Sequence, residues 1–296
     1  MFDGCESLEE IKMLNFVGTF DTDHFNNWVR GVSSTGTFIW DGTDTTTGDY
    51  AIPTGWTVRK LPFKGLVFTA LDANSTISMA KSGSAPTVDL CYSTDNGDTW
   101  MAFTVGTTTV TLPNVGDKAC FKAVTTNTAF AGSYNTNYNY FVMTGRLEAS
   151  GNINSLLNGT DWSTVTTCPQ YAYPHLFDGC ASLVDASNLN LASTTASTNS
   201  YGHKMFYNCR NLVHGPQIRA TNFTSANYTG EYMFQGCSSL QSVKLYTTSS
   251  TWNSSATTSW MDGVPSTGTF YYNGPVTTRG SGYIPTGWTI TPFTTT

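Results

Sequence analysis

Met205-Phe206-Tyr207-Asn208-Cys209-Arg210-Asn211-Leu212 decides the reading of this chain, because the phrase recurs. Two apolar residues, a Cys three further on and a Leu three beyond that stand at 176–183 as Leu-Phe-Asp-Gly-Cys-Ala-Ser-Leu. They stand at 233–240 as Met-Phe-Gln-Gly-Cys-Ser-Ser-Leu and at 1–8 as Met-Phe-Asp-Gly-Cys-Glu-Ser-Leu. Cys180 and Cys209 are 29 residues apart, Cys209 and Cys237 28. A period in the twenties marks units that cannot bury an apolar face alone and must stack as a solenoid. Within a unit the apolar positions at i, i+1, i+4 and i+7 suit one helical turn or a short helix turned inward. A brief alternating piece follows, Ile11 and Met13 or Val243 and Leu245, which reads as a short strand laid against its neighbours.

Seven cysteines raise the question of a disulfide framework, but the total is odd and Cys5, Cys180, Cys209 and Cys237 hold equivalent repeat positions. That pattern predicts small buried residues stacked one per repeat, Cys180, Cys209 and Cys237 among them, with disulfides or a metal as the alternative. Zinc wants closely paired ligands such as Cys-x-x-Cys, which the chain lacks, so neither a metal nor a cofactor is expected.

A larger repetition lies over the first. Residues 1–58 recur at 233–290 with a constant offset of 232: Trp28 maps to Trp260, Ser34-Thr35-Gly36-Thr37-Phe38 to Ser266-Thr267-Gly268-Thr269-Phe270, and Pro53-Thr54-Gly55-Trp56 to Pro285-Thr286-Gly287-Trp288. Each copy reads as a last repeat followed by a terminal cap, in which Trp28, Phe38 and Trp56, or Trp260 and Trp288, cover the apolar face that stacking leaves bare. A sugar-binding platform built of these Trp is the competing reading. The chain opens inside a repeat without a leader peptide, which suggests a piece of a longer protein or an upstream partner that supplies the missing surface.

Between these copies, residues 61–150 carry short apolar runs at turn-marked intervals: Leu66–Ala70, Thr76–Met79, Val88–Tyr92, Val110–Leu112, Ala119–Ala123 and Tyr140–Met143. They predict a small antiparallel β-sandwich. Ser93-Thr94-Asp95-Asn96-Gly97-Asp98-Thr99-Trp100 matches the Asp-box pattern, a hairpin turn in which Asp95 holds backbone amides, Gly97 takes a positive φ and Trp100 packs below. A calcium loop on Asp95, Asn96 and Asp98 competes, but the 12-residue pattern closed by Glu is missing. The organisation expected is 1–60 as the final repeat and cap of an upstream solenoid, 61–150 as the β-module, 151–250 as repeats and 251–296 as the C-terminal cap. The fold class is mainly β.

Composition narrows the function. Of 296 residues 11% are charged, with a net charge of −6, while 14% are aromatic, more than a disordered chain carries. Fourteen Lys and Arg against 20 Asp and Glu give no footprint for nucleic acid, and no apolar run approaches a membrane span. His24, His175, His203 and His214 share no motif, and no nucleophile elbow, zincin or phosphate-loop pattern occurs. His175 and His203, each just before a repeat's Phe, read as parts of an exposed ridge. Scattered acids such as Asp161 and Glu231 read as solvated, so no catalytic residue is expected.

The Met-Phe-x-Gly-Cys-x-Ser-Leu units resemble BspA-type leucine-rich repeats of surface proteins from gut and oral bacteria. The whole arrangement of module, repeats and Ile-Pro-Thr-Gly-Trp-Thr closing segment is similar to chains found in gut bacteria and crAss-like phages. The resemblance implies adhesion, surface display or virion decoration without shared catalytic residues. The expectation is a non-catalytic virion fibre or decoration protein at the virion surface, with a bacterial cell-surface adhesin as the alternative and a glycoside hydrolase accessory module as the remote one. Expected partners are other virion or surface proteins, further copies of the chain and host glycans. Candidate ligand residues are Tyr134, Tyr138 and Tyr140 in the β-module and Tyr201, Tyr228 and Tyr232 around the repeats, since Tyr offers a sugar ring a flat face and a hydroxyl. Tyr138 and Tyr140 point the same way on a strand, and packing inside the module is the competing reading.

Overall fold

The computed structural model describes residues 1–14, 16, 18–42, 44–160, 162, 168–192, 201–219, 229–247 and 250–293. The fold is mainly β, and contacts divide the chain into two units, Met1–Pro62 and Phe63–Thr296.

The first unit is a three-stranded parallel sheet of β1 (Glu10–Lys12), β2 (Thr37–Ile39) and β3 (Thr57–Arg59), in register Ile11, Phe38, Val58. A four-residue helix, α1 (Thr22–Phe25), is capped by Asp21, whose side chain accepts from the Asp23 and His24 amides. Beneath the sheet lie Ile11, Phe20, Trp28, Phe38, Trp40, Ile52 and Trp56, all buried. Each buried indole finds an acceptor: Trp28 Nε1 donates to Ala51 O at 2.9 Å and Trp56 Nε1 to Ser33 O at 2.7 Å.

The second unit begins with β4 (Leu66–Ala70), β5 (Ser75–Lys81), β6 (Leu90–Ser93), β7 (Met101–Phe103), β8 (Thr109–Leu112), β9 (Lys118–Ala123), β10 (Asn139–Thr144) and β11 (Leu147–Asn152). It continues with β12 (Leu183–Ala192), β13 (His214–Arg219), β14 (Ser242–Tyr246), β15 (Thr269–Tyr272) and β16 (Thr289–Thr291). One three-stranded antiparallel sheet has the order β10-β5-β8. A ten-stranded sheet has the order β16-β15-β14-β13-β12-β11-β4-β9-β6-β7. Its change of character happens at β11, which pairs antiparallel with β4 on one side and parallel with β12 on the other. From β11 to β16 every pairing is parallel, one strand per repeat. The two sheets share a core in which Phe141 of β10 meets Phe68 of β4 and Phe121 of β9, ring centroids 5.1 and 5.6 Å apart.

Opposite the parallel strands, each repeat phrase folds as successive hydrogen-bonded turns, not as the helical turn its apolar spacing suggests. Leu176 N bonds Tyr173 O, Asp178 N bonds His175 O and Cys180 N bonds Phe177 O. The physical reason is a pair of left-handed residues four apart in every coil: His175 and Gly179, Lys204 and Asn208, Tyr232 and Gly236, Ser259 and Gly263. A helix cannot pass through them. The same turns place the coil's amides laterally: Phe177 N donates to Met205 O, Phe206 N to Met233 O and Phe234 N to Trp260 O, at 2.7–2.9 Å. Inside this ladder Phe141, Phe177, Phe206 and Phe234 stack with centroids 5.5, 5.0 and 5.5 Å apart. Strand β10 thereby fills the place of a preceding coil.

The cysteines follow the same step. Cys180 Sγ donates to Phe141 O at 3.1 Å, Cys209 Sγ to Phe177 O at 2.9 Å and Cys237 Sγ to Phe206 O at 3.0 Å. All seven thiols are free, and every one except Cys5 is buried. Burial pushes the Cys180 thiol up to about 12 and Cys209 well above its ordinary value.

The two copies of the duplicated segment agree bond for bond. Trp260 Nε1 donates to Tyr283 O and Trp288 Nε1 to Pro265 O, as Trp28 and Trp56 do to Ala51 and Ser33. Gly36 and Gly268 mark the closest approach: a Cβ on Gly268 would lie 2.7 Å from the Trp288 ring and 2.8 Å from Gln241 O, and one on Gly36 2.7 Å from the Trp56 ring.

In the hairpin between β6 and β7, Asp95 accepts from Ser93 Oγ, Thr99 N and Thr99 Oγ1 at 2.5–2.9 Å, which holds its carboxyl far below the usual range. Gly97 has φ +96°, and Trp100 meets Phe63 at 5.1 Å with Lys122 Nζ 4.3 Å from its ring.

Thiolate chemistry requires exposure, so the folded protein should be alkylated rapidly at Cys5 alone and at all seven cysteines in denaturant, counted by mass spectrometry. Cys209→Ala, which removes both the thiol volume and its bond to Phe177 O, should cost about 1–2 kcal/mol in urea unfolding. Cys209→Ser keeps a donor and should cost less.

Candidate ligand-binding face

The loop that leads into β10 and the left-handed turns of the repeats converge in the second unit. β10 buries Asn139 and Phe141 and turns Tyr140, Val142 and Thr144 outward, so Tyr138 and Tyr140 lie half-buried on its outer side, rings 5.7 Å apart. Tyr138 stacks on His175 at a centroid distance of 3.9 Å and an interplanar angle of 5°. Burial, and next the Asp178 carboxylate, push the Tyr138 phenol up. His175 is held at both nitrogens: Nδ1 lies 2.6 Å from Asp178 Oδ2, and Nε2 donates to Tyr134 O at 3.1 Å.

One coil further on, His203 meets the same loop. Its Nε2 donates to Asn135 Oδ1 at 3.2 Å, Lys204 Nζ donates to that same oxygen at 3.2 Å, and the exposed Tyr134 ring stands edge-on at 5.3 Å. His203 Nδ1 is 3.1 Å from Glu231 Oε2, without hydrogen-bond alignment. Tyr232 flanks the other side at 5.7 Å, and Lys204 Nζ lies 5.6 Å from its ring.

Both histidines were expected on an exposed ridge. They are 4% and 1% exposed, because loop residues Tyr134, Asn135 and Tyr138 cover them. Glu231, expected to be solvated, is 9% exposed, and burial raises its pKa. Burial, and next the charges of His175 and Lys204, hold His203 down to about 3.

Of the six candidate tyrosines, Tyr134, Tyr138, Tyr140 and Tyr232 therefore belong to this neighbourhood. Tyr201 does not: it is 2% exposed and packs edge-on against Tyr173 at 5.5 Å in the core. Tyr228 lies outside the described residues. The residues that sequence reasoning passed over are Lys204, Tyr207 and Asn135, whose only signal was their nearness to the candidate tyrosines and the repeat phrase. The result is a shallow surface of aromatic rings edged by an ammonium and an amide, suited to a flat polar ligand. Among the described residues, no three His, Cys, Asp or Glu side chains gather to hold a metal ion. No helix there is long and apolar enough to cross a membrane.

Because folded His203 stays neutral to about pH 3 while an unfolded His protonates near 6.5, protons favour the unfolded chain between those values. Stability from this site is whole above 6.5 and is lost as pH falls through that window; the raised pKa of Glu231 opposes part of the loss. His203→Gln should flatten the decline of Tm with falling pH, read by circular dichroism from pH 7 to 3.5.

No curated protein and no solved structure matches the chain. The family model for the BspA type leucine rich repeat region matches residues 163–260, in six copies, so the coils that carry this face are leucine-rich repeats of that type.

Proposed function

We propose that this protein is a non-catalytic adhesin of an exposed surface and binds host-surface glycans through the tyrosine face of its repeats. The observation that carries this reading is the convergence of Tyr134, Tyr138, Asn135, Lys204 and Tyr232 from two distant stretches of chain onto one shallow surface. Tyr rings stack on the apolar faces of sugars at little entropic cost, and amide and ammonium groups take their hydroxyls. BspA-type repeats suit a surface or adhesion protein. The histidines lend themselves to positioning, being buried and engaged by protein oxygens, and this supports a binding role over catalysis.

On this reading residues 63–152 are a small antiparallel β-sandwich, and the parallel coils are a short solenoid closed by an aromatic cap. The display surface we favour is a phage virion, where a fibre or decoration protein with 11% charged residues and a Thr- and Asn-rich exterior presents a neutral, hydrogen-bonding surface.

A glycan array followed by titration calorimetry tests the proposal. Tyr134→Ala should weaken the best glycan about tenfold, roughly 1.4 kcal/mol, with Tm unchanged. Tyr201→Ala, which empties a core position, should lower Tm and leave the affinity of the folded fraction intact. Turnover of a glycoside, ester or peptide substrate that vanishes with one acid or His variant would replace this reading with an enzymatic one.

A further inference from the structure

The repeat phrase at 1–8 and its counterpart at 233–240 have the same backbone but different surroundings. Met233 is 2% exposed and Phe234, Cys237 and Leu240 are fully buried. Their counterparts are open: Met1 is 92% exposed, Cys5 is exposed, and Phe2 and Leu8 are half-buried. The difference is what sits on them. Phe206 stacks on Phe234 at 5.5 Å, Phe206 N donates to Met233 O, Asn208 N to Gln235 O, Cys237 Sγ to Phe206 O and Gln241 N to Val213 O, while β13 pairs along β14. At the matching atoms Met1 O, Asp3 O, Cys5 Sγ and Glu9 N, no such bond is made among the described residues, and β1 is a sheet edge.

The internal face of this segment is already set for stacking. Phe2 meets Trp28 at 5.9 Å as Phe234 meets Trp260 at 6.1 Å, and Gly4 and Gly236 hold φ +75° and +78°. We propose that the open face formed by Met1, Phe2, Cys5, Leu8 and the β1 edge docks one further coil of the same repeat, seated as residues 201–219 sit on 233–246. Charge narrows the occupant. Where the covered copy has Ser238 and Ser242, the open one has Glu6 and Glu10. Ser238 Oγ lies 3.4 Å from Arg210 O and Ser242 Oγ 2.9 Å from His214 Nδ1. The fitting coil therefore carries basic residues at the positions of Arg210 and His214, as the coil at 201–219 does.

The experiment supplies such a coil to the full chain. Residues 63–232 are joined ahead of Met1, so that the junction repeats the one between Tyr232 and Met233, and native alkylation of Cys5 is timed by mass spectrometry beside hydrogen exchange of Glu10–Lys12. Alkylation should slow by at least about tenfold, with new amide protection in β1. The same fusion carrying Phe206→Asp in the added segment should label Cys5 as fast as the chain alone. Equal rates with and without the intact added coil would overturn the proposal. So would an added segment that stays unfolded by proteolysis, since a coil that fits this face would be ordered by it. In the unfused chain, Cys5 protection that rises with protein concentration would assign the face to a second copy, and protection at every concentration would show it already covered. Either result overturns the proposal.

Discussion

A single coil of this protein cannot satisfy its own backbone, and everything else follows from that. Its turns contain two left-handed residues and make only short-range bonds, so about half of its amides and carbonyls point sideways, parallel to the stacking direction. They find partners only in the next coil. Burying such groups unpaired would cost about 1–3 kcal/mol each, which makes the neighbour a requirement. The phenylalanine ladder and the thiol-to-carbonyl bonds occupy the space those backbone bonds define. Small residues suffice at the cysteine positions because the adjoining carbonyl comes within about 3 Å.

Ending such a stack needs devices of a different kind. At the upstream end of the second unit, β10 and β11 behave as a coil without its turns: Phe141 heads the ring ladder, and β11 converts antiparallel pairing into parallel. At the downstream end the Trp-rich segment closes over β15 and β16, with each indole nitrogen bonded to a carbonyl 23 residues away. The same closing segment built twice, with bond lengths that agree to 0.2 Å, shows that it is a self-sufficient piece of folding code.

How much of this could be read from the chain divides along one line. Periodic features were legible: the cysteine step, the alternating strand positions and the 232-residue offset all repeat, so each occurrence checks the others. Features that depend on a residue's neighbour in space were not. The left-handed sites carry His, Lys, Tyr and Ser, none of which announces a positive φ, so apolar spacing alone pointed to a helical turn. His175 and His203 looked exposed because their cover, Tyr134 to Tyr138, lies about 40 to 70 residues earlier in the chain. Tyr201 and Tyr232 read alike in sequence, and only the coil geometry sends one inward and the other to the rim.

Those left-handed positions have one more consequence. His175, Lys204, Tyr232 and Ser259 adopt φ between 50° and 59°, on backbones held by lateral bonds to which their side chains contribute nothing. Aromatic, cationic and hydroxyl groups thus sit on one interchangeable socket, repeated at intervals of 27–29 residues along the rim. Recognition is uncoupled from folding there: the scaffold dictates where a group projects and leaves open which group it is. A lineage under pressure from a changing partner could rewrite the rim letter by letter while the stack beneath it stays as it is.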